Sequence, residues 1–174
     1  MDLKTPCEAL EAAFFRTDDP RLVESHRELH TLDITSGLWA EVSGLRHPRL
    51  LELWAQWELP TATVAALALV PVAAALWADS KVEPKERREV LDTLGDTFFF
   101  GTIVKDIVNA WLDRRPDPAL LQAWDSLVGA LVRAAAPADQ ALLAQELLWA
   151  ARELSHRGAE EKAQYERLAR AFLV

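Results

Sequence analysis

The stretch ATVAALALVPVAAALWA, residues 62–78, decides the fold class of this chain. Drawn as a helix it is apolar on every side, and such a helix lies either in lipid or in the middle of a bundle. It spans 17 residues, contains Thr63 and Pro71 and is rich in alanine, so it is short for a membrane span. We therefore predict a buried central helix and no membrane insertion. Pro71 is expected to bend this helix without ending it, because apolar residues resume directly after it.

Helix-start signals occur on both sides of this stretch. Proline follows an aspartate at Asp19-Pro20 and again at Asp117-Pro118, which is typical of a capping residue and the first helical position. The β-like segment at residues 97–104 has no second run to pair with, so it is better interpreted as a bend between helices. The sequence predicts an all-α fold, a compact bundle of about eight to ten helices.

Composition narrows the classes of function. The 174 residues suffice for one folded domain without disulfides or a structural metal. The chain has 27 acidic and 19 basic residues, a net charge of -8, and its basic residues are scattered among acids, so we expect no nucleic-acid partner. The single cysteine, Cys7, and an N-terminus without an apolar signal core indicate a cytoplasmic protein.

An acidic segment, DSKVEPKE at residues 79–86, joins the central helix to the next one. Glu86 is explained as the residue that caps the second helix from its first turn. Asp79 is not explained as a helix cap. It directly follows the central helix, and an acid at a helix C-terminus opposes the helix dipole. Asp79, Glu83 and Glu86 near one point would repel each other unless a cation offsets them. We predict a hard-cation site here that binds Ca²⁺ or Mg²⁺ weakly, at about 10⁻⁴ to 10⁻³ M.

The same segment resembles the signature of TerB-like domains, all-helical proteins associated with tellurite resistance and related stress systems. Their pattern is Ala-Asp-Gly, a hydrophobic residue, an acid or small cap, and a glutamate that begins the next helix. Four residues match it, and Ser80 replaces the glycine. The matching residues are Ala78, Asp79, Val82 and Glu86. The likeness assigns residues 59–174 to a TerB-like helical domain and residues 1–58 to an N-terminal helical extension packed on the same core.

The resemblance implies a non-enzymatic accessory or interaction protein, linked to a stress or to a metal or tellurite response, with a protein partner. It also implies an internal duplication, of which a degenerate second copy is visible at residues 147–150, LLWA, an echo of residues 75–78, ALWA. Ala151 stands where Asp79 would be. If the two halves pack about a pseudo-twofold axis, acids of the second half would approach the first site. These acids are Glu153, Glu160 and Glu161.

Two histidines offer an alternative, a metal-dependent enzyme. His26 and His30 are four residues apart, so they share one face of a helix and could chelate an ion. A third ligand would come from His47, His156 or a distant acid. The interpretation that we favour for this pair is two surface or half-buried histidines that bind nothing.

The sequence lacks the motifs of covalent catalysis, namely a Gly-x-Ser-x-Gly elbow, a glycine-rich phosphate loop and a Cys-x-x-Cys pair, which favours a protein that is not an enzyme. Seven tryptophans indicate extensive aromatic core packing. The alternative is a partner groove with exposed aromatic anchors. Its candidate residues are Trp54, Trp57, Phe98, Phe99 and Phe100. A third hypothesis is a purely structural scaffold, in which every acid named above is a cap or part of a solvated face.

Overall fold

The computed structural model describes residues 2–15, 18–32, 36–45, 47–97 and 102–173. These residues form eleven α-helical segments, or ten when α9 and α10, which Leu148 alone separates, are counted as one. No strand occurs among them, which confirms the predicted all-α fold. The helices are α1 Lys4–Phe15, α2 Pro20–Thr31, α3 Ser36–Ser43, α4 Pro48–Gln56, α5 Thr61–Leu76, α6 Pro84–Thr97, α7 Thr102–Asp113, α8 Pro118–Ala134, α9 Pro137–Leu147, α10 Trp149–Leu154 and α11 Ala159–Ala169, followed by a 3₁₀ turn, Arg170–Phe172.

Helix α5 is the axis of the bundle, as the sequence predicts. Every one of its residues is buried, and it packs against α1, α2, α3, α7, α8, α9, α10 and α11. Among the described helices, none has both the length and the apolar character that a membrane crossing requires. The apolar surface of α5 is therefore covered by protein on all sides.

Pro71 lies inside α5, and the helix continues through it to Leu76. Because proline has no backbone N–H, the carbonyl of Leu67, four residues earlier, loses its helical donor. The indole Nε1–H of Trp124 on α8 donates to this carbonyl at 3.0 Å. Trp124 is fully buried, so this hydrogen bond forms away from water. A tryptophan from a neighbouring helix thus supplies the donor that the proline removes.

The N-terminal helices belong to the same hydrophobic core as the rest of the chain. One continuous cluster of buried side chains runs from Leu3 to Leu168. Helix α1 packs on α5 and α8, and α2 packs on α7. Phe14 of α1 is fully buried, with its ring centroid 4.8 Å from that of Phe15 and 5.3 Å from that of Trp111. The division of the chain at residue 58 stays a prediction.

The junction between α5 and α6 is a turn held by backbone and indole hydrogen bonds. Helix α5 ends at Leu76, and the Nε1–H of the next residue, Trp77, donates at 2.6 Å to the carbonyl of Trp111. This carbonyl lies in the last turn of α7, where carbonyls have no partner within the helix. Asp79 thus lies in the turn beyond α5 and not on its last turn, and its Oδ1 accepts from the N–H of Lys81 at 3.3 Å. The helix dipole opposes Asp79 less than the sequence suggests.

The two segments of the predicted internal duplication, residues 75–78 and 147–150, lie at the ends of α5 and α9, but the chain continues differently after each of them. After residues 75–78 the chain enters the turn to α6. After residues 147–150 the helical path continues, because Trp149 begins α10 and Leu148 keeps nearly helical dihedrals with φ -97° and ψ -3°. The duplication itself stays a prediction.

Ser80 is expected to be a position where glycine stabilises the protein. Its φ of 70° lies in the left-handed region, which costs a residue with a Cβ roughly 1–2 kcal/mol. Part of that gain is lost to the greater freedom of glycine in the unfolded chain, so Ser80→Gly should raise the free energy of unfolding by about 0.5–1 kcal/mol, measured by urea denaturation.

Ser126→Gly is the matched control, because Ser126 lies in the middle of α8 and glycine there should lower stability by several tenths of a kcal/mol, up to about 1 kcal/mol. A loss of stability in Ser80→Gly would contradict the account of this turn.

Candidate functional site

Three carboxylates meet where α5, α6 and α11 come together. The carboxylates of Asp79, Glu86 and Glu161 each offer an oxygen within 4.8 Å of the others. Asp79 lies in the turn after α5, Glu86 in the first turn of α6 and Glu161 in the first turn of α11. The approach of an acid from the second half of the chain is thereby confirmed for Glu161. Glu153 and Glu160 are not members of this group.

Glu83, the remaining acid of the predicted site, has a different set of contacts. Its Oε1 accepts from Nζ of Lys81 at 2.8 Å, and its backbone N–H donates to Oε2 of Glu86 at 3.0 Å. The second contact is the predicted capping interaction of Glu86, which is confirmed. The carboxylate of Glu83 lies outside the group of three. The acid cluster is therefore made of Asp79, Glu86 and Glu161.

Glu161 is the buried member of the acid cluster, with only 7% of its surface exposed. Within the described part of the chain, no side chain or backbone group makes a hydrogen bond or ion pair with its carboxylate. The carboxylate packs on Gly158, where an added Cβ would lie 2.6 Å from Oε2 of Glu161. Bringing carboxylates this close together is costly unless a cation offsets their charge. Glu161 is thus a negative group directed at two other negative groups.

Among the described residues, Arg157 forms an ion pair with a member of the acid cluster, whereas the ammonium of Lys81 pairs with Glu83. Nη2 of Arg157 forms an ion pair with Oε1 of Glu86, and both side chains are largely buried. Three carboxylates and one guanidinium leave this group with a net charge of -2. A divalent cation would neutralise that charge.

A second group of ligand-type side chains lies between α1 and α2. Glu11 of α1 places Oε2 at 3.1 Å from Nε2 of His26 and 3.0 Å from Nε2 of His30, and the two Nε2 atoms are 3.0 Å apart. His47 instead caps α4, where its Nδ1 accepts from the N–H of Arg49 at 3.3 Å. The third group beside the two histidines is thus a distant acid, 15 residues before His26.

The lone cysteine is not arranged as a nucleophile. Burial raises the pKa of the Cys7 thiol to about 11, against a smaller opposing effect of its hydrogen bond with Thr63. A cysteine acts as a nucleophile in the thiolate form, which needs a low pKa. Cys7 is therefore a protonated core thiol at neutral pH.

The predicted aromatic partner groove receives limited support from burial. Trp54 is fully buried, so its assignment as an exposed anchor is wrong, because the core covers its whole indole. Trp57 is half-buried, lies 6.0 Å from Trp54 between ring centroids, and borders a cleft of about 920 Å³. The other three candidates, Phe98, Phe99 and Phe100, lie outside the described residues.

No family model, curated protein or solved structure matches the chain. The likeness to TerB-like domains consequently rests on the residues of the α5–α6 junction. Ser80, which stands in place of the glycine of that pattern, has the positive φ that glycine favours.

Proposed function

We propose that this protein is a non-enzymatic, TerB-like accessory and interaction protein that binds a hard divalent cation weakly at the acid cluster. The observation that supports the cation is the position of Glu161, a residue only 7% exposed whose carboxylate has an oxygen within 4.8 Å of oxygens of Asp79 and Glu86. The likeness of residues 78–86 to the TerB-like signature supports the accessory role in a stress or tellurite response and the protein partner.

The donor atoms of the acid cluster select the class of ion. Carboxylate oxygens without nitrogen or sulfur ligands suit Ca²⁺ and Mg²⁺. Ca²⁺ takes about six to eight oxygen ligands, so water would complete its coordination at this cluster. A site that is incomplete and lacks a dedicated loop binds in the weak range, at about 10⁻⁴ to 10⁻³ M.

The position of the cluster suggests what the ion does. Glu86 and Glu161 are far apart in the sequence and belong to α6 and α11, so one ion would hold these helices together. It would also remove the repulsion between their carboxylates. Cation binding would therefore hold the α5–α6 junction and α11 in a fixed arrangement.

Thermal unfolding tests the cation proposal. At constant ionic strength, Ca²⁺ or Mg²⁺ at ten times its Kd should raise the free energy of unfolding by about 1.4 kcal/mol, because the ion binds only the folded state. For a chain of this size that corresponds to an increase in Tm of about 3–6 °C. Asp79→Asn and Glu161→Gln should lose most of this increase and be as stable as the native protein, or slightly more stable, without the ion.

Glu83→Gln is the matched control, because it removes an acid from the same junction but not from the acid cluster, and it should keep the full increase in Tm. If millimolar ion leaves the midpoint of the native protein unchanged, the cation proposal is wrong. If Glu83→Gln loses the response while Glu161→Gln keeps it, the ligands are those predicted from sequence and not those of the acid cluster.

A further inference from the structure

The group formed by Glu11, His26 and His30 contains three close contacts that hydrogen bonds alone cannot satisfy. A carboxylate only accepts, and each Nε2 carries at most one proton. If both Nε2 atoms are protonated, both donate to Glu11, but their N–H groups then oppose each other across 3.0 Å. If only one Nε2 is protonated, it donates to a single neighbour, and the lone pair of the other Nε2 faces the carboxylate of Glu11. A cation between the three atoms satisfies all of them.

The distances also fit one ion. Donor atoms about 2.1 Å from a metal and about 90° apart around it are separated by about 3.0 Å. The observed separations are 3.0, 3.0 and 3.1 Å, which correspond to one face of an octahedron. We propose that Glu11, His26 and His30 bind a divalent first-row transition-metal ion. Two imidazoles favour such an ion over Ca²⁺ and Mg²⁺, which prefer oxygen ligands only.

Two of the ligands are positioned by neighbouring side chains. Oε1 of Glu11 accepts from Oγ1 of Thr63 at 2.5 Å, which leaves Oε2 for the two histidines. Thr63 is fully buried in α5, and only 8% of the surface of Glu11 is exposed. The ring of His26 stacks on Phe15 with a centroid separation of 4.6 Å. Such partners of metal ligands fix their orientation and raise affinity.

The rest of the coordination sphere would be open. The side chains of His26 and His30 are 36% and 50% exposed, and Glu11 and His30 border the cleft of about 920 Å³. This volume lies within the range of small-molecule sites, about 300–1,000 Å³. Three protein ligands leave positions for water or for a small molecule in the cleft, as in metal sites that are not purely structural. This metal site shares no residue with the acid cluster.

Binding of Co²⁺ and Zn²⁺ to the full-length chain tests the proposal. Equilibrium dialysis with metal analysis should give one Co²⁺ or Zn²⁺ per chain, and Co²⁺ should develop visible absorption from histidine ligation. His30→Gln and Glu11→Gln should bind at least about 100-fold more weakly, since changing a residue that only orients a ligand already costs about 10- to 100-fold. His156→Gln, a change of a histidine outside the group, should bind like the native protein.

Thr63 is a positioning residue and provides a second, graded test. Thr63→Val should weaken Co²⁺ binding about 10- to 100-fold, and Thr63→Ser, which keeps the hydroxyl, should restore it. Circular dichroism establishes that each variant is folded. If Glu11→Gln does not fold, the metal affinity of His30→Gln tests the proposal, because the His30 side chain is half exposed and its replacement should not disturb the core.

The proposal is overturned if the native chain binds no stoichiometric Co²⁺ or Zn²⁺, or if a folded His30→Gln variant binds them as the native chain does. Asp79→Asn separates this site from the acid cluster. It should leave Co²⁺ binding unchanged, and loss of Co²⁺ in that variant would place the ion at the acid cluster and also overturn the proposal.

Discussion

Replacement of Trp124 by phenylalanine is expected to lower the free energy of unfolding by about 1–3 kcal/mol, the cost of leaving a buried carbonyl without a donor. The carbonyl concerned is that of Leu67, to which the indole N–H of Trp124 donates at 3.0 Å. Trp124→Ala should cost about 3–5 kcal/mol, because it also removes a fully buried aromatic side chain from the core. Urea denaturation of the three proteins measures both differences.

A double-mutant cycle with Pro71→Ala shows whether the proline is the reason for this dependence. Alanine at position 71 has an N–H that can donate to the Leu67 carbonyl, so Trp124→Phe should cost less in the Pro71→Ala protein, with a coupling of about 0.5–3 kcal/mol. Trp77→Phe is the matched control, because Trp77 donates to Trp111 and not to Leu67, and its cost should add to that of Pro71→Ala. Strictly additive costs for Trp124→Phe would contradict the account of α5.

Phe14→Ala is the second change with a large expected effect, a loss of about 3–5 kcal/mol. Phe14 is fully buried between the rings of Phe15 and Trp111, so the cavity left in the core is surrounded by α1 and α7. Because α1 belongs to the continuous hydrophobic cluster, the variant should unfold in one transition at lower denaturant, with the same midpoint by fluorescence and circular dichroism.

Phe172→Ala is the control for Phe14→Ala, since Phe172 is only partly buried beside Trp124 and its removal should cost less. A loss of under about 1 kcal/mol in Phe14→Ala, or two separate transitions, would show that the N-terminal helices form a unit apart from the core. Either result would favour the division of the chain near residue 58.

Features of the fold that depend on local sequence could be predicted. The apolar stretch at residues 62–78 identifies the central helix because no polar face is available to reach water. Asp19 and Asp117 mark helix starts because their side chains accept from the backbone N–H two residues later, which the structure confirms. The contact of Glu86 with the N–H of Glu83 follows from the three-residue spacing of a capping box.

The members of both candidate sites depend on contacts that no local pattern specifies. Glu11 reaches His26 and His30 only because α1 packs beside α2, and no local pattern distinguishes it from the other 26 acids of the chain. Glu161 reaches Asp79 through the packing of the C-terminal helices. The sequence named it only as one of three candidate acids, and the other two, Glu153 and Glu160, lie outside the acid cluster. Glu83 has the right position in the chain, but Lys81, two residues earlier, binds its carboxylate.

The sequence predicts that tryptophans pack in the core, but it does not show how completely each one is buried. Trp54 lies on α4 and Trp57 directly follows its last residue, so helical periodicity places both near the core. Periodicity does not show which neighbouring helix covers the rest of each ring. Trp54 is fully covered and Trp57 is only half-buried at the edge of the cleft.

Backbone amide chemical shifts followed through a Ca²⁺ titration at constant ionic strength test the central claim, the cation at the acid cluster, most directly. We predict changes confined to two stretches that are distant in sequence, residues 77–86 and 158–161, that saturate together with one Kd of about 10⁻⁴ to 10⁻³ M. Glu161→Gln should abolish the saturation in both stretches. Shifts that do not saturate, or that spread over the acidic surface without including residues 158–161, would contradict the claim.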